Sequence, residues 1–190
     1  LNPYFGLGTE GLIKNAPTKP GSNAYVVKDS STGMTLSTLV TTCSPNFEGA
    51  GISIIGANGF VTPDGRGHGS SEPFWHIQQT GQTNRGYIFK TNRDISNDNI
   101  ALTRNSDNTV TMAPASNSGT DVKQQFQIVC QSCISGASTA PPRTEIGSSC
   151  NITWIEDTSL CLYVGKAPSD DLLTSRCGFI PVAQVFSFST

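Results

Sequence analysis

The amino-acid sequence predicts an all-β fold. Short runs that alternate polar and apolar residues recur between turn residues, among them "AYVVK", "GYIFK", "TVTM" and "VFSFS", and such runs are typical of half-buried strands. No segment keeps the i, i+3, i+4 apolar spacing of an amphipathic helix, and 19 glycines and 11 prolines interrupt the chain. A chain of 190 residues is long enough to bury the core of one such domain.

Charge and hydropathy argue against two classes of partner. Charged residues make up 14% of the chain, the net charge is −2, and lysines and arginines form no cluster. Because nucleic-acid binding needs a positive patch to neutralise phosphates, we expect no nucleic-acid partner. No run approaches the roughly 18 apolar residues of a membrane-spanning helix, so we expect no membrane span.

The cysteine content favours an oxidising compartment. The cysteines are Cys43, Cys130, Cys133, Cys150, Cys161 and Cys177. Their even number, a first residue that is not Met and the glycosylation pattern Asn151-Ile152-Thr153 together predict a secreted glycoprotein with three disulfides. The alternative is a zinc or redox motif at Cys130-x-x-Cys133, but its second close Cys or His pair is missing, since His68 and His76 lie in a differently composed region.

The elements of the chain recur in one order. After an N-terminal arm of residues 1–23, three stretches open alike: "AYVVK" at 24–28, "GYIFK" at 86–90 and "NITWI" at 151–155. Each is followed by a candidate hairpin with turn residues between its strands. The hairpins join Ile52–Ile54 to Val61–Thr62, Ile100–Leu102 to Val110–Thr111, and Leu160–Leu162 to Leu173–Thr174.

Three stretches then close alike: "PFWHI" at 73–77, "QQFQI" at 124–128 and "QVFSF" at 184–188. A single aromatic-x-apolar match carries no information, because every half-buried strand has that pattern. Three elements in the same order and at similar spacing, three times over, predict a threefold internal repeat.

These repeats resemble the β-trefoil of the ricin-B-type lectins, whose repeats end in Gln-x-Trp. The third repeat is most similar, with "LCLYV", a turn, an apolar strand, Cys-Gly and then Gln184-x-Phe186. The resemblance implies a single domain at 24–190 with repeats at about 24–80, 81–130 and 150–190, and a six-stranded barrel capped by three hairpins. Trp75, Phe126 and Phe186 would pack near the pseudo-threefold axis.

The resemblance also implies particular bonds. The side chains of Gln124 and Gln184 would hydrogen-bond the backbone of their own repeats, and Cys161 would pair with Cys177. The other four cysteines remain open to any of the pairings that four cysteines allow.

Sugar sites in this family lie beside the hairpins, where an Asp follows the Cys-Leu pair. Here Tyr163 stands at that position, so Asp170 and Asp171 would have to replace the carboxylate, with Tyr163 stacking on the sugar and Gln184 nearby. Asp107, Asn108 and Gln124 are the corresponding candidates in the second repeat. In the first repeat the polar candidates are Asp64, Arg66 and His68. The alternative is that the aspartates are solvated turn residues and the glutamines are structural.

The sequence therefore predicts a secreted, lectin-like protein that binds glycans at shallow sites, with no cofactor. One alternative is a protease inhibitor that acts through an exposed loop, either around Cys43 or at 129–150. Another is a carrier of a small apolar ligand or pigment held by the N-terminal arm. We expect no enzyme, because neither histidine accompanies a G-x-S-x-G motif and no carboxylate pair stands out. The sequence specifies neither the sugar nor the oligomeric state.

Overall fold

A computed structural model describes residues 22–28, 35–62, 74–80, 86–91, 100–116, 120–165, 172–178 and 181–190. Within these ranges the chain forms β-strands and three short 3₁₀ helices, at Val122–Gln124, Ala137–Thr139 and Pro181–Gln184. The predicted all-β class is confirmed. The chain divides into two compact units, Leu1–Cys43 and Ser44–Thr190. The predicted arm at 1–23 lies almost wholly outside the described residues, and its boundary with a domain at 24–190 stays a prediction.

The strands are numbered in chain order. They are β1 Ser22–Lys28, β2 Thr35–Thr41, β3 Gly51–Gly56, β4 Gly59–Phe60, β5 Trp75–Thr80, β6 Gly86–Lys90, β7 Ile100–Arg104, β8 Val110–Pro114, β9 Phe126–Cys133, β10 Glu145–Trp154, β11 Leu160–Val164, β12 Leu172–Arg176 and β13 Phe186–Ser189. All pairings among them are antiparallel.

In the first unit, β1 and β2 pair with each other in a two-stranded sheet, in register from Ser22↔Thr41 to Lys28↔Thr35. The stretch that was predicted to open the first repeat, Ala24–Lys28, lies in β1. It is therefore a strand, but its partner in the described structure is β2.

In the second unit, six strands pair in a closed sequence. β3 pairs with β5, β5 with β6, β6 with β9, β9 with β10, β10 with β13, and β13 again with β3. A closed sheet leaves no open edge on which another strand could add. The second and third predicted opening stretches, at 86–90 and 151–155, fall on β6 and β10, which are strands of this sheet. The first predicted opening stretch, at 24–28, is not a strand of this sheet, and β3 stands at the corresponding position in the strand order.

Further strands extend from this closed sheet as hairpins. The β7–β8 hairpin follows β6, to which it is joined by the pair Lys90↔Ala101, and the β11–β12 hairpin follows β10 through Thr153↔Cys161. The two hairpins also touch, because the carbonyl of Asn108 accepts hydrogen bonds from the backbone N–H of Thr174 at 3.2 Å and from its hydroxyl at 2.8 Å.

The core of the second unit is built from aromatic rings. Trp75, Phe89, Phe126 and Trp154 form a series of edge-to-face neighbours with centroids 6.3, 5.5 and 5.7 Å apart, a geometry that aromatic quadrupoles favour. Phe186 is buried to the same degree as Trp75 and Phe126. Burying each such side chain contributes about 1.5–3 kcal/mol.

Sequence patterns did not anticipate Phe47, which precedes β3. It is fully buried against Tyr87 and Phe188, with ring centroids 5.8 and 5.3 Å apart. The Tyr87 hydroxyl donates a hydrogen bond to the carbonyl of Pro45 at 2.7 Å, which satisfies the phenol inside the core.

All six cysteines are in disulfides. Cys161 is bonded to Cys177, as the resemblance implies, and crosslinks the two ends of the β11–β12 hairpin. Cys130 is bonded to Cys150, its direct partner in the β9–β10 register, which decides the pairing that the sequence left open for those two residues. Cys133 is also disulfide-bonded, so Cys130-x-x-Cys133 is not a free thiol pair.

Candidate functional site

The two repeat glutamines are buried and bonded in the same way. Gln124 donates from Nε2 to the carbonyl of Pro114 at 2.8 Å and to the hydroxyl of Thr103 at 3.0 Å, and its Oε1 accepts from the N–H of Ser116 at 2.8 Å. Pro114 is the last residue of β8, and Ser116 follows two residues later. Gln124 thus holds the chain where it leaves the β7–β8 hairpin.

Gln184 repeats this arrangement one hairpin later. Its Nε2 donates to the carbonyl of Arg176, the last residue of β12, at 2.9 Å, and its Oε1 accepts from the N–H of Gly178 at 2.7 Å. Both glutamines are 1% exposed. Both amide groups hydrogen-bond the backbone that follows the preceding hairpin, so both glutamines hold the chain at that point.

A shallow pocket of about 310 Å³ lies beside the Cys161–Cys177 disulfide. β10 contributes Asn151 and Thr153 to its lining, and the segment after β12 contributes Pro181 and Val185. The Nδ2 of Asn151 donates to the carbonyl of Gln184 at 2.9 Å, which ties this strand to the short helix Pro181–Gln184. The pocket therefore has both polar and apolar side chains in its lining.

The pocket is adjacent to only part of the predicted third-repeat site. Gln184 lines it, whereas Tyr163 does not. Tyr163 lies in β11, partly exposed, opposite Leu173. Asp170 and Asp171 lie outside the described residues, as do Asp64, Arg66 and His68 of the first-repeat loop. Asn151 is exposed, and its predicted glycosylation stays a prediction.

The second-repeat candidates Asp107 and Asn108 shape the tip of the β7–β8 hairpin. Oδ1 of Asp107 accepts from the Thr109 hydroxyl at 2.6 Å and from its backbone N–H at 3.0 Å. These bonds, the hydroxyl first, lower the pKa of Asp107. Asn108 adopts the left-handed conformation, with φ of 69°, which Asn tolerates better than most residues. Both residues thus have turn-forming partners, and neither lines the pocket beside the Cys161–Cys177 disulfide.

A second polar cluster, which sequence reasoning missed, joins the two hairpin-bearing repeats. The guanidinium carbon of Arg104, at the end of β7, lies 4.2 Å from the ring centroid of Trp154, at the end of β10. Arg104 also donates from Nη2 to Oδ1 of Asn108. The sequence gives no signal for this contact, because the two residues are distant along the chain and meet only through strand pairing.

Asp157 lies three residues after Trp154 and is exposed. Its Oδ1 accepts from the Ser159 hydroxyl at 2.6 Å and from the Ser159 N–H at 3.0 Å. Those two hydrogen bonds lower the pKa of Asp157, and the positive charge of Arg104 lowers it further. The carboxylate is therefore ionised at neutral pH.

The connection between β9 and β10 is one of the two segments predicted for an inhibitory loop, the other being the loop around Cys43. Its tip is exposed, and the carbonyl of Pro141 accepts from the hydroxyls of Thr144 and Thr190 at 2.6 and 2.7 Å. Arg143, the basic residue of this tip, has φ of 65°. That left-handed conformation breaks the extended backbone by which a segment adds as a strand to a binding partner.

The described residues contain neither a membrane-spanning helix nor a candidate metal cluster. No helix there has the length and apolar character to cross a membrane. Likewise, His, Cys, Asp and Glu side chains do not gather in groups of three or more that could hold a metal in this part of the chain. Comparisons of the chain with protein-family models, with curated proteins and with solved structures give no match.

Proposed function

We propose that this protein is a secreted, lectin-like β-trefoil that binds carbohydrate in the pocket beside the Cys161–Cys177 disulfide. The composition of that pocket carries the proposal. A pyranose presents hydroxyls that need hydrogen-bond partners and an apolar C–H face. Asn151 and Thr153 supply polar atoms to its lining, and Pro181 and Val185 supply apolar surface.

The trefoil assignment is supported by the closed sheet of six strands and by the two glutamine arrangements. Gln124 and Gln184 bind equivalent backbone positions after equivalent hairpins. In both cases the Nε2 of the glutamine donates to the carbonyl of the last residue of the hairpin, and the Oε1 accepts from the backbone N–H two residues later. Two unrelated hairpins are not expected to share this pattern. A repeated unit explains both at once.

The disulfides support an extracellular location, because reducing compartments keep thiols from forming such bonds. All six cysteines are oxidised. Of the two alternative functions, the inhibitor would depend on the loop around Cys43 or on the 129–150 connection, and the left-handed Arg143 argues against strand addition by the second of these loops. The carrier function would depend on the N-terminal arm, which lies almost wholly outside the described residues.

A glycan array tests the proposal, with protein produced in a host that does not glycosylate. We expect the protein to retain glycans in competition with free sugar, and Thr153→Val and Val185→Ala each to weaken binding by about 5- to 10-fold, since each removes one contact worth about 1 kcal/mol. Thr153→Ser keeps the hydroxyl and is the matched control. As a control for Val185→Ala, Val182→Ala removes a valine of the short helix Pro181–Gln184 that is 77% exposed and does not line the pocket.

Tyr163→Ala belongs in the same series, because the sequence predicted Tyr163 as a stacking partner. A protein that retains no glycan contradicts the function. If Thr153→Val and Val185→Ala do not reduce glycan retention, the pocket is not the binding site. If only Tyr163→Ala reduces glycan retention, the binding site lies at the β11–β12 hairpin instead.

A further inference from the structure

We propose that the Cys161–Cys177 disulfide is a thiol-exchange site, at which a small thiol enters the neighbouring pocket and becomes bonded to Cys177. The attached group then occupies the pocket in which the proposed function places the sugar. The exchange site follows from the surroundings of the two cysteines, and only its effect on sugar binding rests on the proposed function.

The disulfide borders the pocket directly, because both of its cysteines line the cavity of about 310 Å³. Cys161 is 2% exposed, whereas Cys177 is partly exposed. The Sγ of Cys177 lies 3.6 Å from the carbonyl oxygen of Thr158, at an exposed point of the surface. Since thiol exchange requires access to a sulfur, Cys177 is the cysteine that a thiol in the pocket can reach.

The pocket also has room beside Cys177 for an attached group. Gly178 is the next residue and lines the pocket, and a Cβ placed on it would meet no atom of the described residues within 4 Å, its chain neighbours aside. The Cys130–Cys150 disulfide is enclosed instead. Its cysteines are 1% and 0% exposed, and a Cβ placed on Gly147 would lie 3.1 and 3.3 Å from their two Sγ atoms. A thiol therefore has access to one of these disulfides and not to the other.

Hydrogen bonds hold the backbone around Cys177 independently of the disulfide. The N–H of Cys177 donates to the carbonyl of Ser159 at 2.8 Å. On either side of it, Gln184 accepts from the N–H of Gly178 and donates to the carbonyl of Arg176. These bonds keep the end of the β11–β12 hairpin closed when the sulfur–sulfur bond opens, so we expect exchange to leave the fold intact.

The exchange step balances in atoms and electrons. A thiol RSH loses its proton to water, and the thiolate RS⁻ attacks the Sγ of Cys177. A bond forms between the sulfur of the reagent and Cys177, and the bond between Cys161 and Cys177 breaks. The electron pair of the broken bond stays on the Sγ of Cys161, which takes up a proton from water. One disulfide is consumed and one is formed, so the step needs no oxidant or reductant.

The product has the group R at the wall of the proposed sugar site. Cys177 lines the same cavity as Thr153 and Val185, so R fills volume that the sugar would otherwise occupy. The step is reversible, because the thiolate of Cys161 can attack Cys177 and release RS⁻. Thiol exchange would thus turn sugar binding off, and re-formation of the disulfide would restore it.

Reduced glutathione is the probe, added to the whole oxidised protein from a host that does not glycosylate. At successive times, free thiols are blocked with N-ethylmaleimide, and mass spectrometry of the peptides locates each adduct. We expect glutathione on Cys177 and N-ethylmaleimide on Cys161, at least about 10-fold faster than any adduct on Cys130 or Cys150, because exchange follows access to the sulfur. The far-UV circular dichroism of the reacted protein should match that of the unreacted protein.

Two outcomes of this measurement would overturn the inference. Equal reaction of the two disulfides would mean that unfolding exposes both of them and that the pocket gives no selective access. Glutathione on Cys161 instead of Cys177 would mean that the assigned sulfur is wrong. This comparison needs no variant, so it does not depend on the folding of any substituted protein.

A larger side chain in the pocket tests the route by which the thiol enters. Val185 lines the pocket, so Val185→Trp should slow the reaction at Cys177 by at least about 5-fold. Val182→Trp is the matched control and should leave the rate unchanged, because Val182 is 77% exposed and does not line the pocket. An unchanged rate in Val185→Trp overturns entry through the pocket.

The two proposals fail separately in these experiments. If glutathione becomes bonded to Cys177 in a protein that retains no glycan, the exchange site stands and the proposed function is overturned. If the protein retains glycans through the pocket while Cys177 does not react, the exchange site is overturned and the proposed function stands. Full glycan binding by the Cys177 adduct overturns the control of sugar binding by thiol exchange.

Discussion

At the scale of single residues, the same side-chain chemistry recurs in both described hairpin-bearing repeats. Asp107 bonds the N–H and hydroxyl of Thr109, and Asp157 bonds those of Ser159 with matching distances. Such Asp-x-Ser/Thr turns fix a bend through the side chain. The sequence predicted that Asp107 is a sugar ligand. In the structure its Oδ1 accepts two hydrogen bonds within the turn.

The carboxylate of Asp157 should titrate below its ordinary value of about 3.9, because hydrogen bonds from Ser159 favour the charged form. A group whose pKa is lowered by folding stabilises the fold at neutral pH and loses that contribution as the pH falls through the lowered pKa. Carboxyl NMR titration measures the shift directly. Ser159→Ala should move the pKa of Asp157 upward, and Thr109→Ala, which acts on Asp107, should not. An unchanged Asp157 titration in Ser159→Ala would contradict the assigned cause.

At the scale of elements, the sequence predicted the strands best where alternation coincided with a repeat. The openings at 86–90 and 151–155 fall on β6 and on the end of β10, and both predicted hairpins after them are present. The first predicted hairpin is also present, because β3 pairs with β4 and the N–H of Val61 donates to the carbonyl of Ile54 at 2.8 Å. Its first strand, β3, was not predicted to be a strand of the closed sheet. Its place as a closed-sheet strand follows only from its pairing with β13 and β5.

The sites were less predictable than the strands, for a physical reason. Local patterns report which face of a strand is buried, but a site depends on which strands become neighbours. Gln124 and Gln184 were recognisable because their motif is local. The Arg104–Trp154 contact and the pocket wall between Asn151 and Val185 join residues that are distant in sequence, so no local pattern encodes them.

The glutamine at the end of each hairpin should matter for the stability of the whole repeat. Gln124→Met keeps most of the volume but removes the hydrogen bonds of Gln124 with the N–H of Ser116, the carbonyl of Pro114 and the hydroxyl of Thr103. We expect it to lower the free energy of unfolding by about 2–4 kcal/mol, as the loss of one buried and two partly buried hydrogen bonds predicts. Urea denaturation measures this. Gln131→Met, at an exposed position of β9, should change stability by less than about 0.5 kcal/mol; equal effects of the two substitutions would mean that the bonds of Gln124 contribute nothing.

At the scale of the whole molecule, the closed sheet brings the glycosylation pattern and the pocket to the same place. Asn151 and Thr153 are the first and third residues of that pattern, and both line the pocket. Alternation along β10 turns both side chains to one face. An N-linked sugar would replace one hydrogen of Asn151 Nδ2, while the other hydrogen can keep its bond to the carbonyl of Gln184.

A glycan on Asn151 should therefore cover the pocket and block it. Protein made in a glycosylating host should lose the array binding that depends on Thr153 and Val185, and enzymatic removal of the glycan down to its first sugar should restore little of it, because that sugar stays at the mouth of the pocket. Asn151→Gln made in the same host should remain unmodified and retain binding to within about 5-fold. Mass spectrometry measures the occupancy of Asn151, and full pocket-dependent binding by the fully glycosylated chain would show that the sugar and the pocket do not compete.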